Sequence, residues 1–249
     1  MTNPSPQAED AQPRNATNWA QQNTRTLRVD NPPTGALNLN VHGRQITSPL
    51  QGFGQMWQKT YRIALKGASV EPAAVISTWK NHFAEFWPPN SRFFGPITGI
   101  AAGEVAVLNL KVGGMPLSTG VLVLYADEES FTLMTPQGHV FAGWITFSAY
   151  EDNGITHAQA QVLMRASDPI YELGLRFTNH KPEDEFWRHT LTHVARRFGV
   201  EATVELERIC VDKKLQWSEA KNIWHNSAMR TTLHTVITPS LWFRKHPKK

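Results

Sequence analysis

Between Arg92 and Arg165 the sequence switches repeatedly between a short β-patterned run and a turn. The runs are Arg92 to Thr98, Glu104 to Val112, Ser118 to Tyr125, Ser130 to Thr135, Phe141 to Tyr150 and Ile155 to Arg165. The punctuation is "GIAAGE", "GGMP", "ADEE", "PQGH" and "EDNG", rich in residues that turns demand. Turns this short make successive strands antiparallel neighbours. The series therefore asks for a continuous antiparallel sheet.

The flanks change period. "KTYRIALKG" reads as a strand ending at Gly67. "VEPAAVISTWKNHFAEFW" reads as a helix, with Glu71 and Pro72 in its first turn and Val75, Thr78, Trp79, Phe83 and Phe86 near one face. "PPN" at Pro88 stops it. After the strands, "DPIYELGLRF" begins a helix at Pro169 with Asp168 as its cap. "PEDEFWRHTLTHVARRFG" is the strongest helix in the chain. Glu183, Asp184 and Glu185 sit at its positive end, Arg196 and Arg197 at its negative end, and Gly199 follows as a stop. Trp187, Leu191, Val194, Ala195 and Phe198 form one apolar stripe. Beyond it, "VEATVELERICV" alternates like a strand, and "SEAKNIWHNSAMRTTLHTVI" reads as a helix capped by Ser218.

The N-terminal side is less regular. Residues 1–34 are rich in Asn, Gln, Pro, Thr and Ala and are expected to be disordered, because they bury too little apolar surface to offset ordering entropy. "ALNLNV" alternates, with Leu37, Leu39 and Val41 on one side, and reads as a first strand.

The order strand, helix, meander of strands, long amphipathic helix resembles the helix-grip fold of the START-like (SRPBCC) superfamily. That group includes lipid-transfer, polyketide-cyclase and plant-hormone-receptor proteins. The resemblance covers about Lys59 to Gly199. Within the group, "SFTLMTPQGHVFAGWITF" followed by "RASDPIYELG" looks most like an uncharacterised bacterial branch. The resemblance implies an α+β fold, a curved antiparallel sheet wrapped around a long C-terminal helix. Extra segments then flank a START-like domain over 59–199: a tail (1–34), an arm (35–58), a strand and helix extension (200–242) and a basic tail (243–249).

A sheet curved around a helix leaves a cavity wherever large side chains do not fill the space. On "ITHAQAQVLMR", Ala158, Ala160, Val162 and Met164 share one face, while His157, Gln159, Gln161, Leu163 and Arg165 share the other. The apolar face is expected to point inward, its small side chains leaving volume opposite the long helix. The expected lining of an apolar ligand or lipid site is Trp144, Ala158, Ala160, Val162, Met164, Arg165, Tyr171, Trp187 and Leu191. Two alternatives stay open. Trp144 or Trp187 could fill the space, giving a structural or interaction protein. Polar groups such as Arg165, His139, Tyr150 and Tyr171 could make a cyclase- or aromatase-like enzyme, although the balance leans away from catalysis.

Other chemistry has less support. "HTLTH" places His189 and His193 one helical turn apart, a spacing that can clamp zinc, but the glutamate of an H-E-x-x-H motif is missing. No metal or cofactor is expected. Arg165, if turned inward, could pair with a ligand carboxylate or phosphate; the expectation is rather that it pairs with Asp168 or Glu172, or is solvated, and fixes the corner between strand and helix. Nucleotide-binding glycine motifs and the G-x-S-x-G elbow do not occur.

Composition bounds the setting. Cys210 is the single cysteine, which excludes an internal disulfide and fits a cytoplasmic protein. No run of eighteen apolar residues occurs, so no membrane span is expected, and the N-terminus does not read as a secretory signal. The formal charge of +4 lies entirely in the last six residues, "RKHPKK". With no basic stripe elsewhere, a nucleic-acid partner is not expected. "GVLVLY" is apolar on both faces, so its outer face needs a cover: the C-terminal extension, the Ala36–Trp57 arm, or a second copy in a homodimer.

Overall fold

Residues of period two become strands here wherever a neighbour lies within hydrogen-bonding reach. The computed structural model describes residues 15–21, 24–29, 32–96, 98–112 and 114–237. β1 (Met56–Ala64) leads into α1 (Pro72–Asn81). The meander follows as β2 (Arg92–Phe94), β3 (Val105–Val112), β4 (Met115–Ala126), β5 (Ser130–Met134), β6 (Phe141–Asp152) and β7 (Ile155–Ala166). Then come α2 (Pro169–Thr178), α3 (Lys181–Arg197), β8 (Glu205–Asp212) and α4 (Ser227–Ile237).

The sheet order is β2-β3-β4-β5-β6-β7-β1-β8, antiparallel throughout. β1 returns to pair with β7, setting Tyr61 opposite Ala160 and Lys59 opposite Val162. β8 adds a further edge strand beside β1. The concave face takes α1 and α3. Tyr61, Ile63, Val123, Phe131, Phe147 and Ala160 pack there with Trp79 of α1 and with Leu191, Val194 and Ala195 of α3 in one buried cluster. This is the α+β helix-grip fold: a curved open antiparallel sheet holding a long helix. The apolar stripe of α3 falls where its spacing put it. No helix among the described residues is long and apolar enough to cross a membrane.

Three expectations need correction. Ala36–Val41 forms no strand, because alternation supplies an apolar side but not a hydrogen-bonding neighbour. Its Val41 instead packs flat on the outer face of the sheet. A Cβ on Gly120 would come within 2.6 Å of Val41 Cγ1, so glycine is what lets the arm approach. Disorder across 1–34 does not hold for 15–21 and 24–29. Leu27 is fully buried with Val41, Val107 and Leu122, and the Trp19 ring lies 4.7 Å from that of Tyr125. Finally, the helix expected from Ser218 is broken. Trp217–His225 forms 3-10 turns, and α4 begins only at Ser227, with Asn226 Oδ1 accepting the Met229 amide at 3.0 Å.

The outer face of β4 is thus covered by the chain itself. The arm lies on Leu122, and Asn40 bridges the arm to α4, its amide donating to Ser118 O at 3.0 Å and to Thr231 Oγ1 at 3.1 Å. The apolar face that suggested a second copy therefore gives no reason for one. The basic tail at 243–249 lies outside the described residues.

Candidate ligand cavity

The inward residues of β7 divide the concave side into two halves. At Ala158 and Ala160 the space is full. Phe147 stands opposite Ala160, stacks on Phe131 at 4.6 Å and meets the Trp79 indole at 5.1 Å. The small alanines make room for these rings rather than for a ligand. At Val162 and Met164 the space is open. A cavity of about 380 Å³ lies there between the sheet and α2 and α3, with Asn226, Ala228 and Met229 at the start of α4 closing one side. Its wall is almost wholly apolar, built from side chains such as Leu108, Val121, Leu133, Ile145 and Phe186. Ile170 and Met229 on the wall are half-exposed and mark the opening.

Of the residues expected at a site, Trp144, Val162, Met164, Tyr171 and Trp187 border this cavity. Trp144 does so from a register position opposite Leu163, the outward side of β7. Ala158, Ala160 and Leu191 are buried in the filled core instead. Arg165 is elsewhere. It is buried on the other side of the sheet, where its Nη1 donates to Gly54 O at 2.5 Å and Lys214 O at 2.8 Å and its Nη2 pairs with Asp212. The expected pairing with Asp168 or Glu172 does not form. Asp168 caps α2, accepting from the Ile170 and Tyr171 amides, and Glu172 bonds Arg176 at 2.6 Å. Strand phase explains the outcome: Arg165 is odd-numbered, in step with Leu163 and Gln161. It fixes the glycine-rich arm, where a Cβ on Gly52 would fall 2.7 Å from its own Cβ.

The wall also carries polar side chains, His139 and Tyr171 among them. His139 stands in the "PQGH" turn, and its Nδ1 accepts the Phe141 amide at 3.0 Å. That bond sets the tautomer and leaves the proton on Nε2. Burial pulls its pKa down to about 4. Tyr171, on the first turn of α2, accepts the Ala228 amide on its hydroxyl at 3.1 Å. Burial pushes its pKa up. Tyr150 is not part of the site, being exposed and stacked on the His157 ring at 5.3 Å.

The depressed pKa of His139 has a measurable consequence. Between the ordinary histidine value and about 4, the unfolded chain binds a proton that the folded chain refuses. Stability therefore falls as pH drops through that window and levels off below it. At about 1.4 kcal/mol per unit, the loss is roughly 3 kcal/mol. Urea titrations between pH 7 and pH 4 check it, since the His139→Gln protein should lose that much less than wild type over the same range.

Sequence reasoning missed a buried ionic cluster beside the cavity. Lys59, fully buried, projects from the inner face of β1 to Glu183 at 2.5 Å and Asp184 at 3.0 Å. Asp184 also accepts from the Tyr61 hydroxyl at 2.7 Å and pairs with Arg208. Burial draws the Lys59 pKa down while Glu183 draws it back up. Glu183 borders the cavity, so its two roles, dipole partner and buried ion, coincide at the first turn of α3. The available signal was the phase of "KTYRIA", which puts Lys59 in step with Tyr61 and Ile63. His189 and His193 stack at 3.9 Å on α3. No group of three His, Cys, Asp or Glu placed to hold a metal occurs among the described residues.

No family model matches the chain, and no curated protein matches it. Solved structures do. A di-domain ARO/CYC protein, StfQ of the steffimycin biosynthetic pathway, is 10% identical over 58% of this chain and 50% of its own, with a TM-score of 0.45. Ara h 8.0201 is 11% identical over 57% of this chain and 97% of its own, at 0.42. A START superfamily protein from Mycobacterium smegmatis is 18% identical over 59% of this chain and 98% of its own, at 0.39. Likenesses this distant carry nothing about ligand or activity. The helix-grip fold is read from the strand order and from the seating of α3 against the sheet.

Proposed function

We propose that the protein binds a neutral, largely apolar small molecule or lipid in the cavity between the sheet and α2 and α3. The observation that carries this reading is an open volume of about 380 Å³ behind an apolar wall. Small-molecule sites typically measure about 300–1,000 Å³ and combine such walls with a few polar groups. The open space counts against a filled-core structural protein. A cyclase-like reaction has less support, because general acid–base groups work best with a pKa near the operating pH. His139 and Tyr171 are both displaced from that range. A single cysteine suits action in the cytoplasm.

Native mass spectrometry of protein purified without detergent, followed by solvent extraction, tests the reading. A released apolar compound supports it. Two tryptophan substitutions, two residues apart on β7, locate the site. Val162→Trp puts its ring into open space and should abolish uptake while leaving stability within about 1 kcal/mol. Ala160→Trp forces a ring against Phe147 and Tyr61, which costs about 1–3 kcal/mol or more. Uptake that survives Val162→Trp in a folded protein would place binding elsewhere.

A further inference from the structure

We infer that the cavity selects a ligand carrying a neutral acceptor oxygen, a carbonyl above all, held by two uncharged donors: the Nε2–H of His139 and the hydroxyl of Tyr171. The inference deepens the proposed binding function and rests on it. Both side chains are buried and both line the cavity. Each has its acceptor capacity already engaged by a backbone amide, His139 Nδ1 by Phe141 and Tyr171 Oη by Ala228. What each has left to offer is a proton. Among the described residues, the hydrogen bonds of the two side chains are these two, and in both the side chain accepts. Both protons belong to side chains on the wall of an open apolar cavity, where a hydrogen bond is worth more than in water, so they call for an acceptor from outside.

The two donors belong to one end of the site. The Gly138 carbonyl, next to His139, accepts the Ser227 amide at 3.0 Å. Tyr171 accepts the amide of the very next residue, Ala228. The start of α4 thus holds the "PQGH" turn on one side and the first turn of α2 on the other. A Cβ on Gly138 would fall 2.0 Å from His225 O, so this contact depends on glycine.

Charge narrows the ligand further. The ammonium of Lys59 and the guanidinium of Arg208 are engaged by Glu183 and Asp184. The Asn226 amide is engaged by Asp168. Lys111, the lysine on the cavity wall, is exposed at the rim. An ionised carboxylate deep in the cavity would meet no unengaged cation among the described residues, and burying it unpaired is costly. A ketone, ester or ether oxygen suffers no such penalty.

A matched pair of probes tests this with the full chain. 2-Acetylnaphthalene and 2-ethylnaphthalene have nearly the same shape, but only the first accepts a hydrogen bond. Calorimetry should show Tyr171→Phe and His139→Phe each weakening the ketone roughly five- to tenfold. The hydrocarbon should change by less than about twofold, which also shows that the cavity is intact in each variant. The infrared carbonyl stretch of the bound ketone should lie at lower frequency in wild type and move back up in either variant. 2-Naphthoate should bind no better than the ketone. Equal losses for both probes, an unshifted carbonyl band, or tighter binding of the carboxylate would overturn the inference while leaving apolar binding in place. If neither probe binds wild type, the inference and the proposed function fall together.

Discussion

Lys59→Met lowers folding stability by about 3–5 kcal/mol at neutral pH, the cost expected when one partner of a buried ion pair is removed. The side chain is fully buried and methionine fits its length, so packing is nearly conserved and the loss is electrostatic. Without the ammonium, Glu183 keeps no cation at hydrogen-bond distance, and Asp184 retains only Arg208 and the Tyr61 hydroxyl. Glu183 is then left buried with the His180 ring, 3.7 Å away, as its remaining neighbour. Lys59→Met/Glu183→Gln, which removes the stranded carboxylate as well, should recover much of the loss. Urea unfolding of the single and double variants at pH 7 measures both effects. A loss below about 1 kcal/mol at pH 7 would mean that the cluster is solvated and has no part in holding α3 to β1.

The ion cluster also shows where the sequence stopped being legible. Turn chemistry and strand period located all six strands of the meander, because both are local properties. The α3 stripe was legible for the same reason: Leu191, Val194 and Ala195 lie one helical turn apart or adjacent on one face. What local pattern does not reveal is the partner of each face. Lys59 reads as an ordinary strand lysine until β1 is known to pair with β7, which turns it inward beside Val162. Arg165 reads as a residue near Asp168 until β8 and the arm are brought against it from 47 residues later and 111 residues earlier. Ala158 and Ala160 signal room, correctly. Whether a ring or a ligand occupies that room depends on Trp79, more than seventy residues upstream. The polar edge of the cavity was legible only as a histidine in a glycine turn. Its tautomer came from a backbone amide two residues on, a kind of partner that no side-chain motif reveals.

Trp79→Ala costs about 3–5 kcal/mol, as for other large-to-alanine changes in a packed core. The indole is fully buried. It meets the Phe147 ring edge-on at 5.1 Å and Phe131 at 6.3 Å, and with Val75 and Ile76 it joins α1 to the sheet. Its Nε1 makes no hydrogen bond, so truncation orphans no partner and the loss is packing alone. Trp79→Phe should accordingly retain most of the stability. Trp187→Ala should cost less than Trp79→Ala, because part of the Trp187 surface already faces an open cavity. The two sites are linked through Phe147, whose ring lies 5.5 Å from that of Trp187. Emptying the Trp79 position frees Phe147 to move away from the cavity wall, so ligand affinity should drop together with stability. Trp187→Ala should enlarge the cavity and shift preference toward bulkier probes. Thermal and urea unfolding with the two naphthalene probes separates the cases. Equal costs for the two tryptophans would mean that the space beside Trp187 is as tightly filled as the space beside Trp79, and that no ligand cavity exists.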